Sequence, residues 1–348
     1  MRSSDAALPC ANSISRHPLA RWRQSLLPAR AVALAPALGL LAAGASAHEI
    51  AGNRFFPATL AIDDPGVNDE LAMPTVTVTK SGDQPPIKEL DISGEYVKRL
   101  TDALGLSVAP TWTHLYAPGG PNGNGASGFQ TLETTLKYRI LRDPLHEIVI
   151  SVGLAIDWGG SGAAGVGAEA FTTYTPTFYF GKGFGDLPDQ VWWARPLALT
   201  GTVGYSVPGS GQSAMIDDNG AASLAYNPQF LNWGLSLQYS MPYLKSSVYD
   251  FSLPEVVDHL IPLIEASFQT PAANFTSTDP KTTGTINPGV IYVSNYYQIG
   301  VEAVIPVNRD SGRSVGAMAQ LHIYLDDLMP TSLGRPLFGA PVAPARPF

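Results

Sequence analysis

Long stretches of the chain alternate between large apolar residues and small or polar ones. In the segment 148–158, one parity holds Ile, Ile, Val, Leu, Ile and Trp, and the other holds Val, Ser, Gly, Ala and Asp. The same division recurs over 233–245 and 315–326. Strands of globular proteins usually run about 3 to 10 residues, whereas a tilted strand needs about 9 to 11 residues to cross a bilayer. Repeated runs of this length favour a membrane barrel over a β-sandwich.

Twelve segments carry this pattern, and the sequence therefore predicts an all-β fold, an antiparallel transmembrane β-barrel of about twelve strands of the outer-membrane type. Long connections rich in Gly, Asn and Ser are expected on the extracellular side, and short ones on the periplasmic side. The predicted strands are 74–80, 90–101, 104–115, 129–142, 146–158, 171–183, 190–206, 230–245, 258–270, 285–294, 296–307 and 313–327.

The N-terminus has the pattern of a secretory signal peptide. Arg21, Arg23 and Arg30 precede an apolar stretch at 31–43, and Ala45-Ser46-Ala47 matches the small-residue motif before a cleavage site. We predict cleavage before His48. The predicted organisation is a signal peptide at 1–47, an N-terminal periplasmic segment or plug at 48–73, a barrel at 74–327 and a Pro-rich periplasmic tail at 328–348.

The C-terminal tail departs from a common pattern of outer-membrane barrels. The chain ends in Phe348, but Pro341, Pro344 and Pro347 prevent the last residues from pairing as a strand. The assembly signal is therefore expected within 314–321.

Composition narrows the classes of function. The net charge is −8, and because residues 1–47 carry five of the 21 bases and one of the 29 acids, the predicted mature chain has a net charge of −12. No basic excess exists to bind nucleic acid. Cys10 is the only cysteine, which excludes a disulfide scaffold and a zinc site built on cysteines.

If the apolar parity faces lipid, the opposite parity lines the interior. A Lys or Arg facing lipid near the midplane costs about 2–4 kcal/mol, so charged residues set the register of each strand. Charges of both signs point inward, and a packed network of ion pairs and an open pore both remain compatible with the pattern. The predicted lumen-lining residues are Glu95, Arg99, Glu133, Lys137, Arg139, Asp157, Gln238, Glu265, Gln298, Glu302, Gln320 and His322.

Motifs for catalysis and metal binding are mostly absent. The chain has no GxSxG, and neither His48-Glu49 nor His146-Glu147 has the second His of an HExxH zinc motif. We predict no catalytic residue, no metal and no cofactor. Two alternatives stay open: a Ser-His pair that includes the inward His322, and copper chelation by His48 as a new N-terminus.

Three segments carry a resemblance to a known family: HEIAGNRFFPATLAIDDPGVNDEL from His48, PGVIYVSNYYQIGVEAVIPVN from Pro288, and VGAMAQLHIYLDDLMPTSLGRPLFG from Val315. They resemble a family of proteobacterial outer-membrane proteins that is similar to the MetA-pathway phenol-degradation type of porin-like barrel. The resemblance implies a barrel of about a dozen strands in the outer membrane and a transport role, with apolar and aromatic compounds among the candidate solutes. It implies no functional residues.

Together these observations predict a porin-like channel or transporter for small solutes that is not an enzyme. Its expected partners are outer-membrane lipid and a small-molecule solute, as a monomer or a homotrimer. The alternative from another class is a soluble exported β-sandwich that binds a ligand. The two differ in whether the large apolar side chains face outward or into a core.

Overall fold

A computed structural model of the chain describes residues 49–116, 125–216 and 222–339. The predicted signal peptide, His48 and Phe348 lie outside the described residues. The strands are β1 Ile50–Ala51, β2 Arg54–Phe55, β3 Glu70–Lys80, β4 Lys88–Arg99, β5 Leu104–Ala109, β6 Thr111–Tyr116, β7 Ala126–Phe129, β8 Leu132–Asp143, β9 Ile148–Trp158, β10 Thr173–Gly183, β11 Leu197–Pro208, β12 Gln212–Ile216, β13 Ala222–Tyr226, β14 Gln229–Tyr239, β15 Leu260–Ala273, β16 Thr283–Val293, β17 Tyr297–Pro306 and β18 Gly316–Tyr324.

The strands form a closed antiparallel barrel with twelve positions around it. We call each position a stave, and it is filled by one strand or by two consecutive strands. β5 and β6 make one stave, interrupted at Pro110, which has no N–H to donate to a neighbouring strand. β7 and β8 make the next stave. Each of the other staves is a single strand, and it pairs with the staves that precede and follow it in the chain. The barrel closes because β3 pairs with both β4 and β18. The predicted fold is confirmed, and each of the twelve predicted segments overlaps one stave.

The side-chain alternation follows the prediction. On β14, Ser236 and Gln238 are buried inside, whereas Leu235 and Leu237 are 40% and 43% exposed on the outside. On β9, Ser151 is fully buried. A soluble sandwich would bury its large apolar residues, whereas here they form the outer surface of a closed sheet. This arrangement excludes the sandwich alternative.

The connections divide between the two ends as strand direction requires. The connections 81–87, 159–172, 274–282 and 307–315 lie at one end, together with the described parts 209–216 and 222–228 of the connection after β11. The connections 100–103, 144–147 and 294–296 lie at the other end. We call the second end periplasmic because both ends of the described barrel chain meet there. In the extracellular connection after β11, β12 and β13 pair with each other and are separate from the barrel sheet.

Two long connections at the periplasmic end differ from the prediction. The segment 184–196 contains a 3₁₀ helix at Asp189–Ala194, where we predicted the beginning of a strand. The segment 240–259 contains α1 (Met241–Tyr243), a π-helical turn (Leu244–Val248) and α2 (Glu255–Asp258), where we predicted that a strand continues to 245. The Ser240 hydroxyl accepts a hydrogen bond from the Tyr243 N–H, and this cap ends the strand geometry.

The chain after β18 folds against the periplasmic end of β4. A short helix, α3 (Leu325–Leu328), is followed by turns up to residue 334. The N–H groups of Leu337 and Phe338 then donate to the carbonyl oxygens of Arg99 and Leu100. The described part of the tail is therefore attached to the barrel. No helix in the described ranges is long and apolar enough to cross a membrane.

Candidate functional site: the barrel lumen

Residues 49–69, which precede the first stave, lie inside the barrel, and we call them the inner segment. It starts at the periplasmic end, where Glu49 accepts a hydrogen bond at 2.7 Å from Arg139 of β8. A small hairpin of β1 and β2 follows. Its Arg54 is fully buried and donates to the Glu147 carboxylate at 3.2 Å and to the Pro196 carbonyl oxygen at 3.0 Å.

The cluster of Arg54, Glu147 and Tyr243 joins the inner segment to two periplasmic connections. Tyr243 donates to Glu147 at 2.7 Å, and the Arg54 guanidinium lies 3.7 Å from the centre of the Tyr243 ring. Burial, together with the hydrogen bond to Glu147, raises the pKa of Tyr243 to about 12. The phenol is therefore a stable hydrogen-bond donor at neutral pH.

Two phenylalanines of the inner segment provide its apolar anchorage. Phe55 packs in a buried cluster with residues of β15, β16 and β18, and its ring meets that of Tyr324 edge-on at 6.1 Å. Phe56 packs with Val149 and Ala198 on the opposite wall. Burial of each phenylalanine side chain is worth about 1.5–3 kcal/mol. The inner segment thus contacts both walls.

The segment reaches its highest point at residues 58–63. Gln298 donates to the Ala58 carbonyl oxygen at 2.5 Å, and the N–H groups of Leu60 and Ala61 donate to one oxygen of Glu265 at 2.9 and 2.8 Å. Glu265 is the sixth residue of the fourteen-residue strand β15. The segment therefore occupies the periplasmic part of the lumen.

Glycines on the barrel wall leave space for the inner segment. A Cβ at Gly300 would lie 2.5 Å from Leu60 Cδ1, and a Cβ at Gly181 would lie 3.0 Å from Pro65 Cγ. Larger residues at either position would displace the segment.

Lys137 lies in an acidic environment formed by both the segment and the wall. Its Nζ is 2.8 Å from the Asp63 carboxylate and 2.9 Å from the Asp64 carbonyl oxygen, and it lies over the ring of Tyr179. Glu95 and Glu133 also act electrostatically on this group of residues. One cation thus faces several carboxylates near the tip of the segment.

The segment leaves the lumen at the periplasmic end through Asp69, which is fully buried. Its carboxylate accepts hydrogen bonds from Nζ of Lys98 at 2.6 Å and from Nε of Arg99 at 2.7 Å. Arg99 also donates to the carbonyl oxygen of Gly334 at 3.0 Å. The inner segment, β4 and the C-terminal residues meet at this junction.

The structure gives most of the twelve predicted lumen residues a defined partner. Arg99, Lys137, Arg139, Glu265 and Gln298 bind the inner segment, as described above. Gln238 donates to Thr200 and Ser236, Gln320 donates to Thr75, and His322 contacts Glu70 at 2.9 Å. Glu95 and Glu133 belong to the acidic group around Lys137, Asp157 is buried on β9, and Glu302 faces Glu265.

His322 has a carboxylate, not a serine, as its hydrogen-bonding partner. Among the described residues, no group of three or more His, Cys, Asp or Glu side chains is arranged to hold a metal ion.

Sequence reasoning left the residues of the inner segment out of the lumen set. Asp63 and Asp69 pair with strand residues that are distant in the sequence, and the segment has no alternation that would report those contacts. The only local signal is a run of acids, Asp63-Asp64 and Asp69-Glu70, in a region rich in apolar residues. Taken together, the twelve predicted residues and the inner segment contain nine acids and four bases.

Neither a protein-family model nor a curated protein matches the chain. Among solved structures, it is similar to the NanC porin, at 10% identity over 72% of this chain and 98% of that chain, with a TM-score of 0.41. The KdgM porin is 11% identical over 73% and 98%, with a TM-score of 0.39. The β domain of the Bordetella autotransporter BrkA is 10% identical over 74% and 99%, with a TM-score of 0.42.

Likenesses at these identities and TM-scores carry no conclusion about function. The class of protein follows from the geometry of the molecule itself, a closed twelve-stranded barrel with an apolar outer surface and a polar interior. It is a β-barrel of the outer-membrane type, located in the outer membrane.

Proposed function

We propose that the protein is a porin-like channel or transporter for small solutes, and that the inner segment closes the periplasmic part of its lumen. The observation that supports the proposal is how the segment is held. Its tip contacts the wall through hydrogen bonds to Glu265 and Gln298 and an ion pair with Lys137. None of these contacts belongs to the strand pairing that closes the barrel, so the segment can move while the barrel stays intact.

The charge of the lumen supports a preference for cations. Nine acids face four bases among the twelve predicted lumen residues and the inner segment, and an excess of carboxylates in a narrow passage favours entry of cations. The interior is lined by Thr, Ser, Asn and Gln as well as by charged residues, which suits polar solutes better than the aromatic compounds that the family resemblance implies. Glu133, Lys137 and Glu302 are the proposed selectivity residues.

The proposed function of the lumen is passage of solutes and not catalysis, and the proposed partner of the outer surface is lipid. The outer surface supports lipid as the partner of the barrel, because exposed Leu235, Leu237 and Ile264 belong to an apolar belt. A homotrimer stays a prediction, and chemical cross-linking of the protein in native membranes would test it.

A reversible disulfide tests closure by the inner segment. Leu60 and Gly300 are suitable positions, because a Cβ at Gly300 would lie 3.2 Å from Leu60 Cγ, the atom whose place a cysteine sulfur at position 60 would take. The predicted mature chain has no cysteine, so the double variant Leu60→Cys/Gly300→Cys would form no other intramolecular bridge.

Conductance would be measured in planar bilayers before and after reduction of the double variant. We expect low conductance in the oxidised protein and a several-fold increase after reduction. The single variant Leu60→Cys is the control and should not respond to the reductant. Equal conductance of the oxidised and reduced double variant, with the disulfide verified, would contradict closure by this segment. Absence of conductance in every form would contradict the channel itself.

A further inference from the structure

Three polar side chains on adjacent strands form a group on one wall of the lumen. Glu265 of β15 lies directly opposite Asn287 of β16, and Gly289, two residues further along β16, lies opposite Glu302 of β17. Side chains at directly opposite and diagonal positions of one sheet face are close enough to interact. Glu265, Asn287 and Glu302 are 0%, 1% and 4% exposed, respectively.

Gly289 allows Glu302 to approach the other two residues. A Cβ at Gly289 would lie 2.5 Å from Glu302 Cγ, so the Glu302 side chain occupies the space that a side chain at 289 would fill. The Glu302 carboxylate consequently faces both Glu265 and Asn287.

The oxygens of this group have no partner outside the group. The Glu302 carboxylate lies within hydrogen-bonding reach of Glu265 and Asn287. Among the other described residues, no donor binds either oxygen of Glu302, Oε1 of Glu265 or Oδ1 of Asn287 with acceptable geometry. Within the described ranges, neither glutamate forms an ion pair, whereas Asp63, Asp69 and Glu49 each have a Lys or Arg within 2.8 Å. Two buried like charges without a counter-charge are costly unless a cation or a proton neutralises them.

We propose that Glu265, Asn287 and Glu302 form a binding site for a calcium ion. Carboxylate and amide oxygens are the ligands that Ca²⁺ prefers, and its flexible coordination accepts a few protein oxygens completed by water. These four oxygens would supply the protein share of the coordination sphere. The ion would neutralise the charge that the chain itself leaves uncompensated.

The site is connected directly to the inner segment. Oε1 of Glu265 faces the proposed ion, and Oε2 accepts hydrogen bonds from the N–H groups of Leu60 and Ala61. One carboxylate therefore holds the tip of the segment and offers its second oxygen to the ion. Calcium would fix the orientation of Glu265 and strengthen the attachment of the segment. The existence of the site does not depend on whether the lumen conducts.

The test is calcium binding by the refolded full chain in detergent after removal of divalent ions with EDTA, measured by isothermal titration calorimetry. We expect one Ca²⁺ per chain and a higher temperature for the heat-induced change of mobility on SDS gels. Glu302→Gln removes one charged ligand, and Asn287→Ala removes a neutral ligand while both carboxylates remain. Each variant should weaken binding at least tenfold.

Asn287→Ala separates coordination from general attraction of cations to acidic residues, because attraction alone would be unchanged by it. Glu255→Gln, an exposed change of the same charge on α2, is the control and should bind as the unaltered protein does. Each variant is first shown to be folded by its heat-dependent mobility.

Several outcomes would overturn the proposal. Absence of calcium binding by the folded unaltered protein would show that the two carboxyl groups share a proton instead. Binding that survives both lumen substitutions would place the ion elsewhere. Equal affinity for Mg²⁺ would contradict the assignment to calcium.

Discussion

The junction at Asp69 gives a quantitative test of how the inner segment is anchored. Asp69 has no exposed surface, and it accepts hydrogen bonds from Lys98 and from both the side chain and the backbone N–H of Arg99. The substitution Asp69→Asn keeps the shape of the side chain and removes its negative charge. Arg99 would then retain only the carboxylate of Asp326 at 4.0 Å as an anionic partner.

The size of the effect follows from burial. Removing one partner of a buried ion pair costs about 3–5 kcal/mol, because the remaining charge is left without compensation. The Lys98 side chain is 13% exposed, so water compensates part of its charge. The expected loss in the free energy of unfolding is therefore near the lower limit, about 3 kcal/mol. The matched control is Asp186→Asn, since Lys182 and Asp186 form an ion pair with side chains 28% and 33% exposed. Exposed pairs contribute about 0.2–1 kcal/mol.

The assay is unfolding by urea of the full chain in lipid vesicles, followed by tryptophan fluorescence. We expect Asp69→Asn to lower the free energy of unfolding by at least about 2 kcal/mol more than Asp186→Asn does, which is about a thirtyfold difference in the unfolding equilibrium. Equal effects of the two substitutions would refute the reasoning, because they would show that water reaches the Asp69 junction as freely as the exposed pair.

Three further predictions concern the outer surface, the lumen charge and the periplasmic end. Leu235→Arg should cost about 2–4 kcal/mol and reduce the heat-modifiable form on SDS gels, whereas Leu253→Arg, on an exposed periplasmic connection, should not; equal yields would place Leu235 outside the lipid belt. Lys137→Met should shift the reversal potential in a KCl gradient toward stronger cation preference, and Lys281→Met, on an extracellular connection, should leave it unchanged. Because the pKa of Tyr243 is raised to about 12, the folded protein keeps a proton that the unfolded chain loses near pH 10. The free energy of unfolding should therefore fall as the pH rises from about 10 to about 12. Tyr243→Phe should remove this part of the pH dependence of urea unfolding, and an unchanged profile would contradict the raised pKa.

Alternation made the barrel predictable from sequence. In the stave Ile148–Trp158, every second residue is large and apolar, and the structure places that parity outside. This pattern is local, because each strand meets lipid on one face whatever its neighbours are. The ends of the strands were less predictable. Apolar residues continue from Trp233 to Tyr243, but Pro242 and the cap at Ser240 turn the chain into a helix.

The contents of the lumen could be predicted only in part. The parity of Lys137 and Glu265 followed from the cost of exposing charge to lipid. Their partners did not follow, because Lys137 binds Asp63 and Glu265 binds the backbone of Leu60 and Ala61, more than 70 and 200 residues away in the chain. A backbone N–H leaves no mark on the sequence. The function of residues 48–73 therefore stayed between two alternatives.

The path of the inner segment has a topological consequence. It enters beside Arg139 and Glu147 and leaves beside Arg99, all at the periplasmic end, and its highest point is at 58–63. The segment is a re-entrant loop and does not thread through the cylinder. With both of its ends at the periplasmic end, the proposed closing element could be inserted or withdrawn as one unit from that side while every strand remains paired.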